Sequence, residues 1–231
     1  MGSDLLNTPL FGIGLTLVIF ELAQRIYRKT GSIWFNPVAW SIGLIITLLM
    51  VGDIPYDAYA VGGKYILFLL GPTVVALAVP LYQRRTEILA RKKPILIGVV
   101  VGAVVSIVSA SGTAWLLGGS KNVVLSLAPK SVTTPIAIGI TEQIGGIVEL
   151  TAALVVMSGC LGAICGPEFC RLIGIKNNAA VGLAVGTAAH GIGTARMLEI
   201  DRLGGPVAGL AIGLNGMVTA FLLPLIFILF W

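Results

Sequence analysis

Two short stretches of the chain place polar and charged residues inside very apolar surroundings. The first is LAPKSVTTPIA, Leu127–Ala137, where two prolines flank a lysine and three hydroxyl residues. Proline has no backbone N–H and disrupts a continuing helix, so the backbone between the prolines is expected to be unwound. A helix that restarts near Thr134–Pro135 presents free N–H groups and the positive end of its dipole to an anion. We therefore predict an anion site built from Lys130, Ser131, Thr133 and Thr134.

The second stretch, GTAAHGIGTAR, Gly186–Arg196, contains the single histidine of the chain. Its glycines are expected to allow tight turns and exposed N–H groups. A histidine can donate, accept or carry a proton near neutral pH, and an arginine suits a carboxylate. Arg196 has an alternative role at the membrane rim, paired with Glu199 or Asp201. The predicted ligands from this stretch are His190, Gly191, Thr194 and Arg196.

Two further polar residues are candidate ligands for the same substrate. Gln143, in TEQIGG, either contacts substrate or holds the tip of its hairpin, and Asn215, in GLNGM, faces either the site or another helix. Ordinary structural roles remain open for the whole set. Serine and threonine often bond the preceding helical turn, and Lys130 could extend to the interface.

The composition indicates a membrane protein. Of the 231 residues, 57% are hydrophobic and 11% charged, with a mean hydropathy of +1.00. A soluble domain carries about 25% charged residues. The net charge of +5 does not indicate nucleic-acid binding, because eight of the fifteen basic residues lie in two loops beside apolar runs. Cys160, Cys165 and Cys170 fit neither a disulfide framework nor a zinc site, and no metal or cofactor is expected.

The apolar runs predict about six spans: Pro9–Ile26, Phe35–Val51, Tyr65–Tyr82, Pro94–Leu117, Ile147–Gly166 and Pro206–Trp231. Basic loops orient membrane proteins with their positive side in the cytoplasm. On that rule, residues 122–146 and 178–205 are two broken helical hairpins that enter from opposite faces, as an inverted repeat would place them. The alternative is eight full spans. Either way, the prediction is an all-α polytopic membrane protein with a single transmembrane domain, residues 1–231.

Three sequence segments resemble the LrgB/CidB family of bacterial inner-membrane proteins: PKSVTTPIAIGITEQIGGI, GLAVGTAAHGIGTARMLE and GLNGMVTAFLLPL. The resemblance implies a multi-pass protein of the bacterial cytoplasmic membrane. It also implies a small LrgA-like membrane protein as partner, which forms one chain with the LrgB-like part in a plastid relative. Ala189 stands where many relatives have serine, so a hydroxyl is missing there.

The resemblance leaves two functions open. A plastid relative carries glycolate and glycerate, and bacterial relatives are linked to pyruvate uptake, which implies a secondary transporter of small monocarboxylates such as glycolate, glycerate, pyruvate or lactate. The alternative is a holin-like or antiholin-like modulator of murein hydrolases and autolysis. An enzyme is not expected, because the chain contains no G-x-S-x-G, H-E-x-x-H or phosphate-loop motif. A homo-oligomer is expected.

Overall fold

The computed structural model describes residues 6–32, 35–76 and 78–230, which are mostly helical with no strand among them. The chain divides into two compact units, Met1–Val79 and Pro80–Trp231. The prediction of an all-α polytopic membrane protein is confirmed. The candidate ligands all lie in the second unit.

The first unit contains helices α1 (Pro9–Thr30), α2 (Pro37–Val51), α3 (Tyr56–Phe68) and α4 (Leu70–Ala76). Helices α1 and α3 approach closely where Gly12 meets Gly62, since a Cβ built on either glycine would touch the other's backbone. Near this crossing the hydroxyls of Thr16 and Tyr59 are 2.9 Å apart. Small residues at such crossings are how membrane helices pack without a hydrophobic driving force between them.

The following helices are α5 (Ala78–Gln83), α6 (Arg85–Leu89), α7 (Lys92–Leu116), α8 (Lys121–Leu127), α9 (Thr134–Ile144), α10 (Val148–Leu172), α11 (Asn178–Ile200) and α12 (Gly204–Phe230). The core of the second unit includes a cluster of Ile107, Val132, Ile140, Val155 and Leu223. This cluster joins α7, α9, α10 and α12 around the turn that follows α8.

In the described part of the chain, five helical runs are long and apolar enough to cross a membrane: Pro9–Thr30, Tyr56–Gln83, Lys92–Leu116, Val148–Leu172 and Gly204–Phe227. Pro37–Val51 is a shorter apolar helix. The prediction of about six spans is thus confirmed, with two differences. The third run begins at Tyr56 rather than Tyr65 and is divided into short helices, with Pro72 and Pro80 within it. The predicted end of the last span, Trp231, lies outside the described residues.

The segment predicted as the first broken hairpin folds back on itself. Helix α8 ends at Leu127, and α9 begins at Thr134 and ends at Ile144. The Ile147 N–H then donates to the Ser126 Oγ at 2.7 Å. The Thr151 hydroxyl donates to the main-chain oxygen of Ser126 at 3.0 Å. The chain therefore returns to α8 just before α10 begins, which leaves the turn between α8 and α9 as the tip of a hairpin.

Helix α11 is also a hairpin. A straight helix of its 23 residues would be about 34 Å long. Instead, the Asn178 Nδ2 at its start donates to the Asp201 Oδ2 just beyond its end, at 2.6 Å. The reversal occurs at His190, whose φ of 40° and ψ of −133° are not helical. We refer to Asn178–Ala189 as α11a and to Gly191–Ile200 as α11b.

The two hairpins approach α10 from its opposite ends. The base of the first is bonded to Ile147 and Thr151, where α10 begins. The second follows the loop after Leu172, where α10 ends. Both tips reach the first half of α10, about one turn apart, because Lys130 is bonded to Ser158 and His190 to Val155. The membrane face from which each hairpin enters, and an inverted repeat, stay predictions.

Candidate functional site

Lys130 lies on the unwound tip of the first hairpin, between α8 and α9. Its Nζ lies 3.2 Å from the Ser131 Oγ and 3.5 Å from the Ser106 Oγ. The two serine hydroxyls are also hydrogen-bonded to each other. The Ser158 hydroxyl donates to the Lys130 main-chain oxygen at 2.8 Å. Ser106 and Ser158 are near the middles of 25-residue helices, each about 37 Å long, so Lys130 sits at mid-depth in this unit.

Among the described residues, the ammonium group of Lys130 has hydroxyl partners only. Within the described residues, no carboxylate lies at ion-pair distance from its Nζ. Hydroxyl groups can accept from an ammonium but do not neutralise it. An unpaired charge at membrane depth is costly, and this one therefore leaves a place for a negatively charged ligand.

Helix α9 begins beside this lysine and has an uncapped N-terminus. As the sequence predicts, the helix starts at Thr134 with Pro135 in its first turn. Thr133 holds the N-cap position with an extended backbone, but its hydroxyl does not bond the first amides. By contrast, Asn36 and Asn177 each cap their helices through the side chain. The free N–H groups and the helix dipole at Thr134 therefore add positive potential beside Lys130.

Asn215, in the middle of α12, joins the two hairpin tips. Its Nδ2 donates to the main-chain oxygen of Ser131 at 3.1 Å and to that of Thr187 at 3.0 Å. Carbonyl oxygens only accept hydrogen bonds, which fixes the nitrogen of the amide toward both. The side chain is 1% exposed. Asn215 therefore satisfies two main-chain oxygens, one from each hairpin tip.

His190 forms the tip of the second hairpin and is 5% exposed. Its Nε2 lies 2.8 Å from the main-chain oxygen of Val155, so this nitrogen must carry the proton. A residue other than glycine with φ of 40° is strained by roughly 1–3 kcal/mol. The packing around the tip holds His190 in this conformation, and such strain concentrates at functional sites.

Thr194 carries a buried hydroxyl with no hydrogen-bond partner within the described residues. Thr187, on α11a, bonds the main-chain oxygen four residues earlier, that of Leu183. The residue four positions before Thr194 is His190, where the backbone is not helical. Side chains on a helix lean toward its N-terminus, so the Thr194 hydroxyl is directed toward the reversal at His190.

None of the glycines near the second tip has the positive φ of the turn, and Gly186 and Gly193 instead pack closely against neighbours, whereas Gly191 is exposed. The expectation that Gly186, Gly191 and Gly193 supply the tight turn is wrong, because the residue with positive φ is His190. A Cβ on Gly186 would collide with the backbone of Ala208, and one on Gly193 would meet Val185. On α10, a Cβ on Gly159 would lie 2.8 Å from the His190 Nε2. These glycines therefore allow α10, α11 and α12 to approach closely.

The structure brings some predicted ligands together and leaves others apart. Lys130, Ser131 and Asn215 are joined by hydrogen bonds directly or through a carbonyl, and His190 and Lys130 both contact the first half of α10. Thr133 and Thr134 begin α9 beside them. The remaining four predicted ligands lie elsewhere. Thr194 is buried on α11b, one turn after the tip, and Gly191 is exposed beside the tip. Gln143 is exposed at the far end of α9, and Arg196 contacts Glu199 at 3.4 Å near the hairpin base.

Sequence reasoning missed Ser106 and Ser158 as neighbours of Lys130, and missed the role of the Thr187 main-chain oxygen. A serine in the middle of an otherwise apolar span was an available signal for the first two. No local sequence pattern indicates that the Thr187 main-chain oxygen accepts this bond, because the contact depends on where α12 crosses the hairpin.

The fold and this site define a class: a multi-pass membrane protein whose two opposed helical hairpins meet around a lysine. The LrgB-like family model matches residues 16–229, and the chain belongs to the LrgB-like family. It is 35% identical over 213 residues to an uncharacterised protein of Haemophilus influenzae, covering 92% of each chain. It is also 35% identical over 216 residues to the uncharacterised protein YxaC of Bacillus subtilis, covering 94% of each. No solved structure matches the chain.

Proposed function

We propose that this protein is a secondary transporter of small monocarboxylates such as glycolate, glycerate, pyruvate or lactate. The observation that carries the proposal is the Lys130 ammonium group at the hairpin tip, which has hydroxyl partners and no carboxylate among the described residues. Membership of the LrgB-like family agrees with a membrane transporter or modulator. The choice of monocarboxylates follows what the family resemblance implies, and the single positive charge of Lys130 agrees with a ligand of that class.

The charge at the tips favours a single carboxylate. Lys130 contributes one positive charge, and the uncapped start of α9 adds a partial one. The hydroxyls of Ser106 and Ser131 beside Lys130 could bond the hydroxyl or keto oxygen that a glycolate-like or pyruvate-like acid carries on its second carbon. A dianion would retain an unpaired charge at this depth, which is unfavourable.

Much of the site is shielded from solvent, although Lys130 itself is only partly buried, and this favours a compact ligand and an access mechanism. Ser131, His190 and Asn215 are each 5% exposed or less. Broken helices that meet near the bilayer midplane are the usual binding site of secondary transporters, and rocking of one element against another opens it to each side. The hairpins reach the site from opposite ends of α10, so movement of each hairpin would open the site toward a different end of α10.

The proposal also covers the membrane, the partner and the oligomeric state in which this protein works. We place the protein in the bacterial cytoplasmic membrane, with a small LrgA-like membrane protein as its partner and as a homo-oligomer. The alternative from the sequence, a modulator of murein hydrolases, requires no ligand at Lys130. The two functions therefore differ in whether a small acid is bound and carried.

Uptake into proteoliposomes tests the proposal. Purified wild-type protein, alone and with an LrgA-like protein, should accumulate labelled glycolate, pyruvate or lactate faster than empty vesicles. Lys130→Ala should abolish the uptake, whereas the matched control Lys176→Ala, which removes an exposed lysine, should retain it. Absence of uptake of all these acids with and without the partner would contradict transport and favour the modulator.

A further inference from the structure

A second basic site lies away from the hairpin tips, where α5, the end of α11 and the start of α12 meet. It is a cavity of about 370 Å³ whose walls include Gln83, Arg84, Leu198, Asp201 and Arg202. None of these residues takes part in the contacts around Lys130. We propose that this cavity binds the phosphate group of an anionic phospholipid.

The two arginines provide the donors that a phosphate requires. Arg202 is exposed and makes no hydrogen bond or ion pair with the described part of the chain, so its guanidinium is available to a ligand. Arg84 is paired with Glu87 at 2.7 Å, but both side chains are more than a third exposed. Such surface pairs contribute little and exchange readily. A guanidinium binds phosphate through two parallel N–H groups. Arg84 and Arg202 line the same cavity, so both can donate to one phosphate group.

The Asp201 carboxylate, in the cavity wall, already accepts hydrogen bonds from the protein. The Asp201 Oδ1 accepts from the Leu203 and Gly204 main-chain N–H groups, at 2.9 and 2.6 Å. Its Oδ2 accepts from the Asn178 side chain. Asp201 therefore caps α12, and its charge is offset by the N-terminal end of that helix.

The surroundings favour a lipid over a soluble phosphate. Tyr82 is 66% exposed on the same short helix as Gln83, and the Arg85 guanidinium lies 4.3 Å from its ring. Exposed tyrosines and basic residues at the ends of spans mark the membrane interface. Leu198, 39% exposed, and Pro80 give the cavity an apolar side for the upper part of an acyl chain. Basic cavities between spans at this level are typical of binding sites for anionic headgroups.

Thermal unfolding in lipid discs tests the assignment with purified full-length protein. Discs of phosphatidylcholine containing increasing phosphatidylglycerol should raise the unfolding midpoint of wild type in a saturable manner. Arg84→Gln and Arg202→Gln should each increase the half-saturating fraction of phosphatidylglycerol about fivefold. The matched control Arg171→Gln, an exposed arginine at the end of α10, should leave it unchanged.

Three outcomes would overturn the proposal. The midpoint could be independent of phosphatidylglycerol, or all three variants could shift by the same amount, which would indicate non-specific charge. Finally, glycerol 3-phosphate added to pure phosphatidylcholine discs could give the full stabilisation, which would assign the cavity to a soluble phosphate compound. None of these results depends on monocarboxylate transport.

Discussion

The side-chain nitrogen of Asn215 lies 3.1 Å from the main-chain oxygen of Ser131, 84 residues earlier in the chain. The same nitrogen bonds the main-chain oxygen of Thr187. One amide thus ties the tip of the first hairpin to the end of α11a. The relative position of the two tips, and with it the shape of the site, depends on this residue.

Replacing Asn215 with leucine should therefore affect both stability and transport. Asn215→Leu keeps the volume similar but leaves two buried carbonyl oxygens without a donor, at a cost of about 1–3 kcal/mol each. We expect a lower thermal unfolding midpoint in lipid discs and loss of uptake. Thr219→Val, one turn along α12, removes only a 3.5 Å contact to the Asn215 Oδ1 and serves as the control. Equal behaviour of the two variants would contradict the joining role of Asn215.

The close approach at Gly159 gives a second prediction, which concerns His190. In Gly159→Ala the new methyl carbon would lie 2.6 Å from the His190 Cε1 and 2.8 Å from its Nε2. His190 must then move, which breaks its bond to the Val155 oxygen. We expect destabilisation of about 1–3 kcal/mol and at least tenfold lower uptake.

Gly213→Ala is the matched control for this change, because a Cβ on that helical glycine meets no atom within 4 Å. It should leave uptake unchanged and slightly stabilise the protein, since alanine restricts the unfolded chain. If Gly159→Ala bound and carried substrate like Gly213→Ala, the tight placement of His190 would be irrelevant to function.

If residues 122–146 form a hairpin, both ends of this segment should be accessible from the same side of the membrane. Single cysteines near Lys121 and near Gly146, at exposed positions such as Asn122 and Glu142, in a background without Cys160, Cys165 and Cys170, should both react with a membrane-impermeant reagent added outside cells. A cysteine at Lys176 should react only after permeabilisation. The bond between Ile147 and Ser126 places the ends of this segment on one side. Labelling of the position near Lys121 alone would favour eight full spans.

The cap formed by Asp201 predicts a pH-dependent contribution to stability. Partial burial alone would raise the pKa of Asp201, but hydrogen bonds from Gly204, Leu203 and Asn178, and the charge of Arg84, hold it below its ordinary value. A carboxyl group with a lowered pKa in the folded state stabilises the protein above its unfolded pKa, about 3.9, and this contribution is lost as the pH falls further.

Asp201→Ala should therefore lower stability by about 1 kcal/mol at pH 7, the usual effect of losing an N-cap. The difference from wild type should shrink below about pH 4, and thermal unfolding in lipid discs at pH 7 and pH 3.5 measures it. Asp57→Ala, in the first turn of α3, is the comparison, since the Asp57 side chain caps no helix through a side-chain hydrogen bond. A difference for Asp201→Ala that persisted unchanged at pH 3.5 would contradict a role for its charge.

Local chemistry made much of this architecture predictable. The apolar runs predicted the long helices, and Pro129 and Pro135 correctly placed the unwound stretch and the start of α9, because proline acts through its own backbone. The second reversal was placed in the right stretch but assigned to glycines. It falls on His190, because packing against α10 and α12 compels a conformation that the residue itself does not favour.

Contacts between distant segments were beyond sequence reasoning. Ser106 and Ser158 are separated from Lys130 by 24 and 28 residues, and nothing in their local pattern says which side of the helix faces the tip. Similarly, Gln143 shares the polar segment of Lys130 but lies at the other end of α9, because a regular helix carries it away. Its place among the ligands stays a prediction.

The central claim is that Lys130 supplies the positive charge that holds the substrate, and equilibrium binding measures this most directly. Purified wild-type protein should bind a labelled small monocarboxylate in a saturable manner. Lys130→Ala should weaken binding about ten- to a hundred-fold, the effect of losing about 1.5–3 kcal/mol from a charged hydrogen bond. Lys176→Ala should bind as wild type does, and both variants should unfold at wild-type temperature or close to it. Wild-type affinity in Lys130→Ala would contradict the account.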